Sequence, residues 1–446
     1  MNIRRYTSQY KPLLQLGFPI IIGQIGVIVL NFADTLMIGH HTTDELAAAA
    51  FVSNIFMLGL LIAMGFAYGL TPVIGSLFGR GERYKIGVTL RNGLAVNTVV
   101  AIILMTVYTA LYFFLDRLGQ PPQLIPIMRP YYIVNLISVP FVCWLNAIKQ
   151  FFDATTNTRT PMWVLLGGNL LNILGNWMLI YGVGPFPELG LLGAGLSTLI
   201  SRMVMFVALT VIALGSSQYA EERQGFRKSQ LTKHGFSHLW SMGLPLGMQM
   251  GMESGAWSLC SVIVGWIGTD ALAGHQIMLT ISQLFFQVYY GLAAAVSIRT
   301  SLFCGQKDYD RIVPTAWAGF HLCMIVAVVI AIPVMLFRDS IGYLFTDSPS
   351  VAAVVAGTIA PLLVYQIGDG LQCTFGNALR GLSDVKPMML VAFVSFFVVS
   401  LPLSYTLGIV FEGGLVGVWW AFPFGLTLAG FLYRYFFVRR LSILER

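Results

Sequence analysis

Met242–Gly268, MGLPLGMQMGMESGAWSLCSVIVGWIG, runs for 27 residues with one charged side chain, Glu253, near its middle. That length suits a helix crossing the roughly 30 Å hydrocarbon core of a bilayer. A charge at such depth costs about 2.5–3.5 kcal/mol even on lenient insertion scales, so chains keep one where it faces a bundle interior, water or an ion. Glu253 is therefore a functional candidate. Its plain structural alternative is a protonated acid joining two helices, a bond worth about 0.6–2 kcal/mol that a Gln would supply as well. Gln249 lies one turn earlier on the same face,. Pro245 removes a backbone hydrogen bond upstream and bends the helix,.

The stretch recurs in the chain. At a fixed offset of 226 residues, Leu16–Gly79 aligns without a gap to Met242–Gly305, with 12 of 64 positions identical. The matches include Gly17 with Gly243, Pro19 with Pro245, Gly39 with Gly265, and the loop Thr43, Asp44, Leu46, Ala47 with Thr269, Asp270, Leu272, Ala273. Pro161 and Met162 later pair with Pro387 and Met388, and after two residues are lost Glu188, Gly190 and Gly193 pair with Glu412, Gly414 and Gly417. Chance apolar similarity matches Leu and Ala, not an ungapped register of Gly, Pro and loop residues. An internal duplication follows.

The rest of the 446 residues agrees with a membrane protein. The chain is 57% hydrophobic and 10% charged, where soluble domains carry about 25% charged residues,. Apolar runs near 13–37, 46–76, 88–115, 124–148, 160–184 and 190–215 precede a second set near 238–266, 272–300, 312–337, 350–379, 387–411 and 413–437. The expected fold is an all-α polytopic membrane protein of twelve transmembrane helices in two six-helix repeats. An even number of spans per repeat makes the copies parallel. The expected lobes are 1–214 and 241–446, joined by the polar linker 215–240, GSSQYAEERQGFRKSQLTKHGFSHLW. Met1–Lys11 runs straight into the first span, so no cleavable signal peptide is expected,.

The net charge of +7 suggests nucleic acid in a soluble protein, but here its sidedness decides,. Lys and Arg cluster on the side of the termini and linker, while the opposite loops hold only Arg117, Arg129 and Arg338. Both termini are thus expected in the cytoplasm, with the lipid bilayer and no nucleic acid as partner. Arg202, inside the sixth span, is the exception. The five cysteines show no metal or redox spacing and read as small hydrophobes,.

Polar side chains inside spans are the candidate site. Gln24, Asn31 and Asp34 share one face of the first span, Asn172 and Asn176 stand one turn apart in the fifth, and Thr198 lies in the sixth,. Carboxylate, amide and hydroxyl oxygens suit a hard cation such as Na⁺, and a carboxylate also carries H⁺. An ordinary interfacial aspartate is the alternative for Asp34. In the tenth span Tyr365, Asp369, Gln372 and Gly376 follow steps of four, three and four. If Glu253 and Asp369 converge, burial and mutual repulsion favour capture of a proton or cation. Met248, Met250 and Met252 with Trp257 would line an adaptable pocket for flat apolar cations, or simply pack helices,. The repeat does not superimpose the acids: Asp34 aligns with Cys260 and Glu253 with Val27.

These residues resemble the multidrug and toxic compound extrusion (MATE) family of cation-coupled antiporters, particularly its NorM-like branch. The resemblance rests on NFADTLMIGH, LFGRGE, ILGNWMLIYG with GLLGAGLST, GLPLGMQMGMES and GDGLQCTFGNALRGLSDVKP, and covers nearly the whole chain. It implies a first-lobe cation site at Asp34, Asn172, Asn176 and Thr198, and a second-lobe site at Glu253, Tyr365 and Asp369, with Na⁺ at Glu253, Asp369 and Asp34 or H⁺ in its place. Gln24, Asn31, Gln249, Met250, Trp257 and Gln372 are the substrate-pocket candidates. The implied activity is export of small organic cations against Na⁺ or H⁺ by alternating access, without a cofactor, from a monomer in the plasma (inner) membrane. Asn176 stands where some members have Asp. Lipid-linked oligosaccharide flippases share the architecture and are the rival transporter reading. A membrane-embedded lipid-modifying enzyme would need a His, Asp or Cys cluster at an interface, which the sequence does not display, so a non-enzyme is expected.

Overall fold

A bilayer offers backbone amides no water, so spanning segments close their hydrogen bonds internally as helices. The computed structural model describes residues 4–445, and among them every regular element is helical. Met1–Ile3 and Arg446, at the two expected cytoplasmic ends, lie outside the described residues. In order the α-helices are α1 (Arg4–His41), α2 (Thr43–Tyr68), α3 (Leu70–Gly79), α4 (Arg83–Tyr112), α5 (Ile125–Ala154), α6 (Arg159–Ile180), α7 (Leu191–Gly215) and α8 (Ala220–Lys228). There follow α9 (Lys233–Gly265), α10 (Thr269–Gln306), α11 (Ile312–Leu336), α12 (Arg338–Ile341), α13 (Pro349–Gly381), α14 (Lys386–Ala392), α15 (Leu401–Tyr405) and α16 (Gly414–Leu444). Two π-helical stretches, Phe393–Ser400 and Thr406–Val410, join α14, α15 and the loop before α16.

The duplication is visible element by element. Helix α1 corresponds to α9, α2 with α3 to α10, α4 to α11, α5 to α13, α6 to the 386–410 span, and α7 to α16. Eleven stretches among the described residues are long and apolar enough to cross a membrane. Helix α9, the seventh of the twelve expected, is long enough at 33 residues but falls outside that set. Its apolar run is diluted by Gln249, Glu253, Ser254, Ser258 and Ser261, the polar content that singled it out in the sequence.

By packing, the chain divides into two bodies, Ile22–Gly247 and Met1–Ile21 with Met248–Arg446. The cuts fall inside α1 and α9, not in the linker. Each of these helices gives its first half to one body and its second half to the other.

Glycines explain why the cuts fall there. In the Ile22–Gly247 body, GFAYG of α2 (Gly65, Gly69) meets GLPLG of α9 (Gly243, Gly247). A Cβ on Gly65 would lie 2.6 Å from the Gly247 nitrogen and one on Gly69 3.0 Å from the Gly243 nitrogen. Two small-xxx-small faces thus cross backbone to backbone, the close approach that drives helix association in lipid. In the other body the equivalent crossing pairs α1 with α10, where a Cβ on Gly17 would sit 3.2 Å from the Gly291 carbonyl oxygen. Gly17 and Gly243, like Gly65 and Gly291, are identities of the 226-residue offset.

The expected linker is not a free tether. Within it α8 lies on α4, where a Cβ on Gly225 would overlap the Tyr84 carbonyl and one on Gly87 the Glu222 carbonyl. Arg83 pairs with Glu222 at 3.2 Å, Asn157 donates to the Tyr219 hydroxyl at 2.9 Å, and Arg91 donates to the carbonyls of Phe226 and Ser229.

Candidate cation sites

In the Ile22–Gly247 body, three helices bring the first expected group together. Asn176 Nδ2 on α6 donates to Asp34 Oδ1 on α1. Asn172, one turn earlier on α6, satisfies both ends of its amide when its oxygen accepts from Thr198 Oγ1 at 3.1 Å and Thr198 N at 3.2 Å. Its nitrogen then donates to Asp34 Oδ1 at 3.2 Å,. Ser197 Oγ donates to the Asn172 carbonyl at 2.8 Å and helps hold α7 on α6. Asn176 Oδ1 is buried without a hydrogen-bond partner among the described residues, so an acceptor oxygen stays unused beside the carboxylate. Gln24 is half-buried and Asn31 exposed, and neither joins this group.

Arg202 belongs here, which the sequence did not show. It follows Thr198 by one turn on α7, donates from Nη1 to Ser138 Oγ on α5 at 2.6 Å, and is an electrostatic neighbour of Asp34 and Tyr131. The spacing of four from Thr198 was the available signal.

The second group lies in the other body, on α9 and α13. Glu253 and Asp369 are electrostatic neighbours, and Gln372 Nε2 donates to Glu253 Oε1 at 3.3 Å. Cys373 Sγ donates to Asp369 Oδ1 at 3.7 Å. Asp369, Gln372 and Tyr365 are 3–4% exposed, so the face read from the sequence points inward. The Tyr365 hydroxyl bonds to Ser282 on α10, and Gln372 Oε1 is left without a partner among the described residues. Neither acid forms an ion pair there with Lys or Arg.

The substrate-pocket candidates fare differently. Trp257 stacks on Phe422 with centroids 4.2 Å apart and lies 6.0 Å from Trp419, inside an aromatic cluster that includes Tyr365. That is packing within the body. Gln249 and Met250 are half-buried and Met248 is exposed.

Fold and sites together define a multi-pass helical membrane protein built from two copies of a six-span unit, with carboxylates inside its spans. The MatE family model matches residues 19–178 and again 245–406, two ranges whose starts differ by 226 (245 − 19). The chain belongs to the MatE family. It is 26% identical over 434 residues, 96% of this chain and 94% of the other, to the multidrug resistance protein NorM of Aliivibrio fischeri. A solved MATE structure in the bent conformation superimposes with a TM-score of 0.89 at 18% identity, covering 98% of this chain and 96% of that one. A eukaryotic MATE transporter superimposes with a TM-score of 0.87 at 18% identity, over 99% of both chains.

Proposed function

We propose that this protein is a secondary active antiporter exporting small organic cations in exchange for Na⁺ or H⁺. The observation that carries the reading is the Glu253–Asp369 pair: two carboxylates sharing one body of a membrane protein, with no cationic side chain bound to either among the described residues. Such a pair repels itself and is eased by a cation or proton from outside. Similarity to a multidrug resistance protein over 96% of the chain supports drug-like substrates and a transporter in place of an enzyme. The same likeness supports a plasma-membrane location, and the Lys and Arg asymmetry supports cytoplasmic termini. A monomer suffices, since both acids and all four first-group residues come from one chain.

The test is dye efflux from proteoliposomes under a pure Na⁺ gradient and under a pure H⁺ gradient. Efflux is expected under at least one, and Glu253→Gln or Asp369→Asn is expected to cut the gradient-driven rate about tenfold or more, because one acid alone offers too little charge to dehydrate an ion. Efflux indifferent to both gradients, or untouched by both substitutions at matched protein level, overturns the reading.

A further inference from the structure

Arg202 is a half-buried charge inside a span that ion-coupled transport leaves unused. It sits well inside α7, 11 residues after the helix begins at Leu191 and 13 before it ends at Gly215 (202 − 191 and 215 − 202). Such a cation persists in a span only where it has a counter-charge or water. Its one described hydrogen bond goes to a neutral group, the Ser138 hydroxyl on α5. The groups near Asp34 from its neighbouring helices are Asn172 and Asn176 from α6, Arg202 from α7 and Tyr131 from α5, with Thr198 of α7 bonded to Asn172 behind them. Only Arg202 among them is a cation.

The two acid groups are therefore electrically unlike. Asp34 with Arg202 sums to zero before any ion arrives, whereas Glu253 with Asp369 sums to minus two when both are ionised. A fixed positive charge near a carboxylate favours its ionised form and repels an incoming cation. Amides donating to Asp34 from Asn172 and Asn176 act in the same direction, since both bonds favour the ionised form.

From this geometry we infer that Arg202 is the resident counter-cation of Asp34, a positioning residue that takes the place of the coupling ion in the Ile22–Gly247 body, so that exchangeable cations are taken by Glu253 and Asp369. The inference rests on the ion-coupled reading above. The guanidinium, tied to Ser138 on α5, offsets part of the cost of burying a carboxylate that accepts from the α6 amides, and so helps hold α1 to α5, α6 and α7 without consuming an ion. Neutralising Asp34 alone would strand a charge inside the membrane domain. Neutralising both would remove the cost.

The experiment compares wild type, Asp34→Asn, Arg202→Gln, Arg202→Lys and Asp34→Asn/Arg202→Gln. Ion binding in detergent is counted by ²²Na⁺ and by proton uptake, with thermal unfolding alongside. The single Asp34→Asn variant is expected to be the least stable, the double variant to recover most of the loss, and Arg202→Lys to stay near wild type. Arg202→Gln is expected to gain one extra ion per protein, or about tenfold tighter cation binding as one nearby unit charge is lifted, and the gain is expected to vanish in the double variant. A double variant no more stable than Asp34→Asn, together with an unchanged ion count in Arg202→Gln, overturns the inference. The stability cycle reads the pair without transport, so rescue there with no ion-driven efflux in wild type would sink the antiport reading and leave the pairing standing.

Discussion

His275 shows how far single side chains can be assigned from hydrogen bonds. It is fully buried on α10, with Nδ1 3.2 Å from Trp419 Nε1 and Nε2 3.0 Å from Ser261 Oγ. Indole N–H only donates, so Nδ1 accepts and the imidazole proton sits on Nε2, pointing at a serine whose own hydroxyl donates to the Trp257 carbonyl,. Every position is filled by a neutral ring. A second proton on Nδ1 would face an indole donor, which makes His275 a fastener of α9, α10 and α16 and not a proton carrier. His275→Ala is expected to destabilise by about 2–4 kcal/mol, from a cavity and a stranded Trp419 N–H. His275→Gln, which restores an acceptor, is expected to recover part of it, and an unshifted unfolding temperature in the alanine variant would refute the assignment. At this scale the sequence was informative where partners share a helix. Asn172 and Asn176, or Asp369 and Gln372, are readable as faces. The pairing of Asp34 with Arg202 was hidden, because helical periodicity says which residues share a stripe but not which stripe of another helix meets it.

At the scale of elements, α8 departs from a reading of 215–240 as a polar linker alone, because it packs on α4. Polar composition marks 215–240 as lying outside the bilayer, but two glycines that let α8 press on the α4 backbone look in sequence like flexible punctuation. Glu222 on α8 is 2% exposed, and this burial pushes its carboxyl above the usual carboxylate range against the pull of Arg83. The sign follows from linkage: an acid whose pKa is raised on docking takes up a proton as it docks. Docking should be tightest below the ordinary glutamate pKa, weaken as pH rises through the raised one, and level off above it. Hydrogen exchange of residues 220–228, corrected for intrinsic rates, is expected to follow that course in the wild type and to lose it in Glu222→Gln. The opposite slope would mean that Arg83 outweighs burial. The 386–410 span adds a second departure. It is the repeat partner of α6, but where α6 carries Asn172 and Asn176 it has Val398 and Pro402, and its helix widens into π turns, with Ser400 Oγ donating to the Ser395 carbonyl at 2.9 Å. The copies diverged in backbone as well as in acids.

For the whole molecule, the duplication and the span pattern were legible because Gly, Pro and loop residues keep register over 64 positions. The boundaries of the packed bodies were not. Hydropathy places a division in the polar linker, whereas packing places it inside α1 and α9, where the glycine crossings pair the first half of α1 with α10 and the first half of α9 with α2. Gln9 on α1 also takes a 2.7 Å bond from Arg299 of α10. A fragment starting at Ser229 therefore lacks part of its own body. Expressed alone it is expected to aggregate, and co-expression with residues 1–228 is expected to restore a monodisperse peak on size exclusion in detergent. A monodisperse 229–446 fragment would show that the α1 segment is dispensable. The exchange also orders biosynthesis. Helix α1 ends in one body while its beginning belongs to another whose remaining residues start at Met248, so that beginning finds its neighbours only after Ile22–Gly247 has been translated. Until then the glycine face of α1 is open in the bilayer, a holding period that insertion chaperones or lipid must cover.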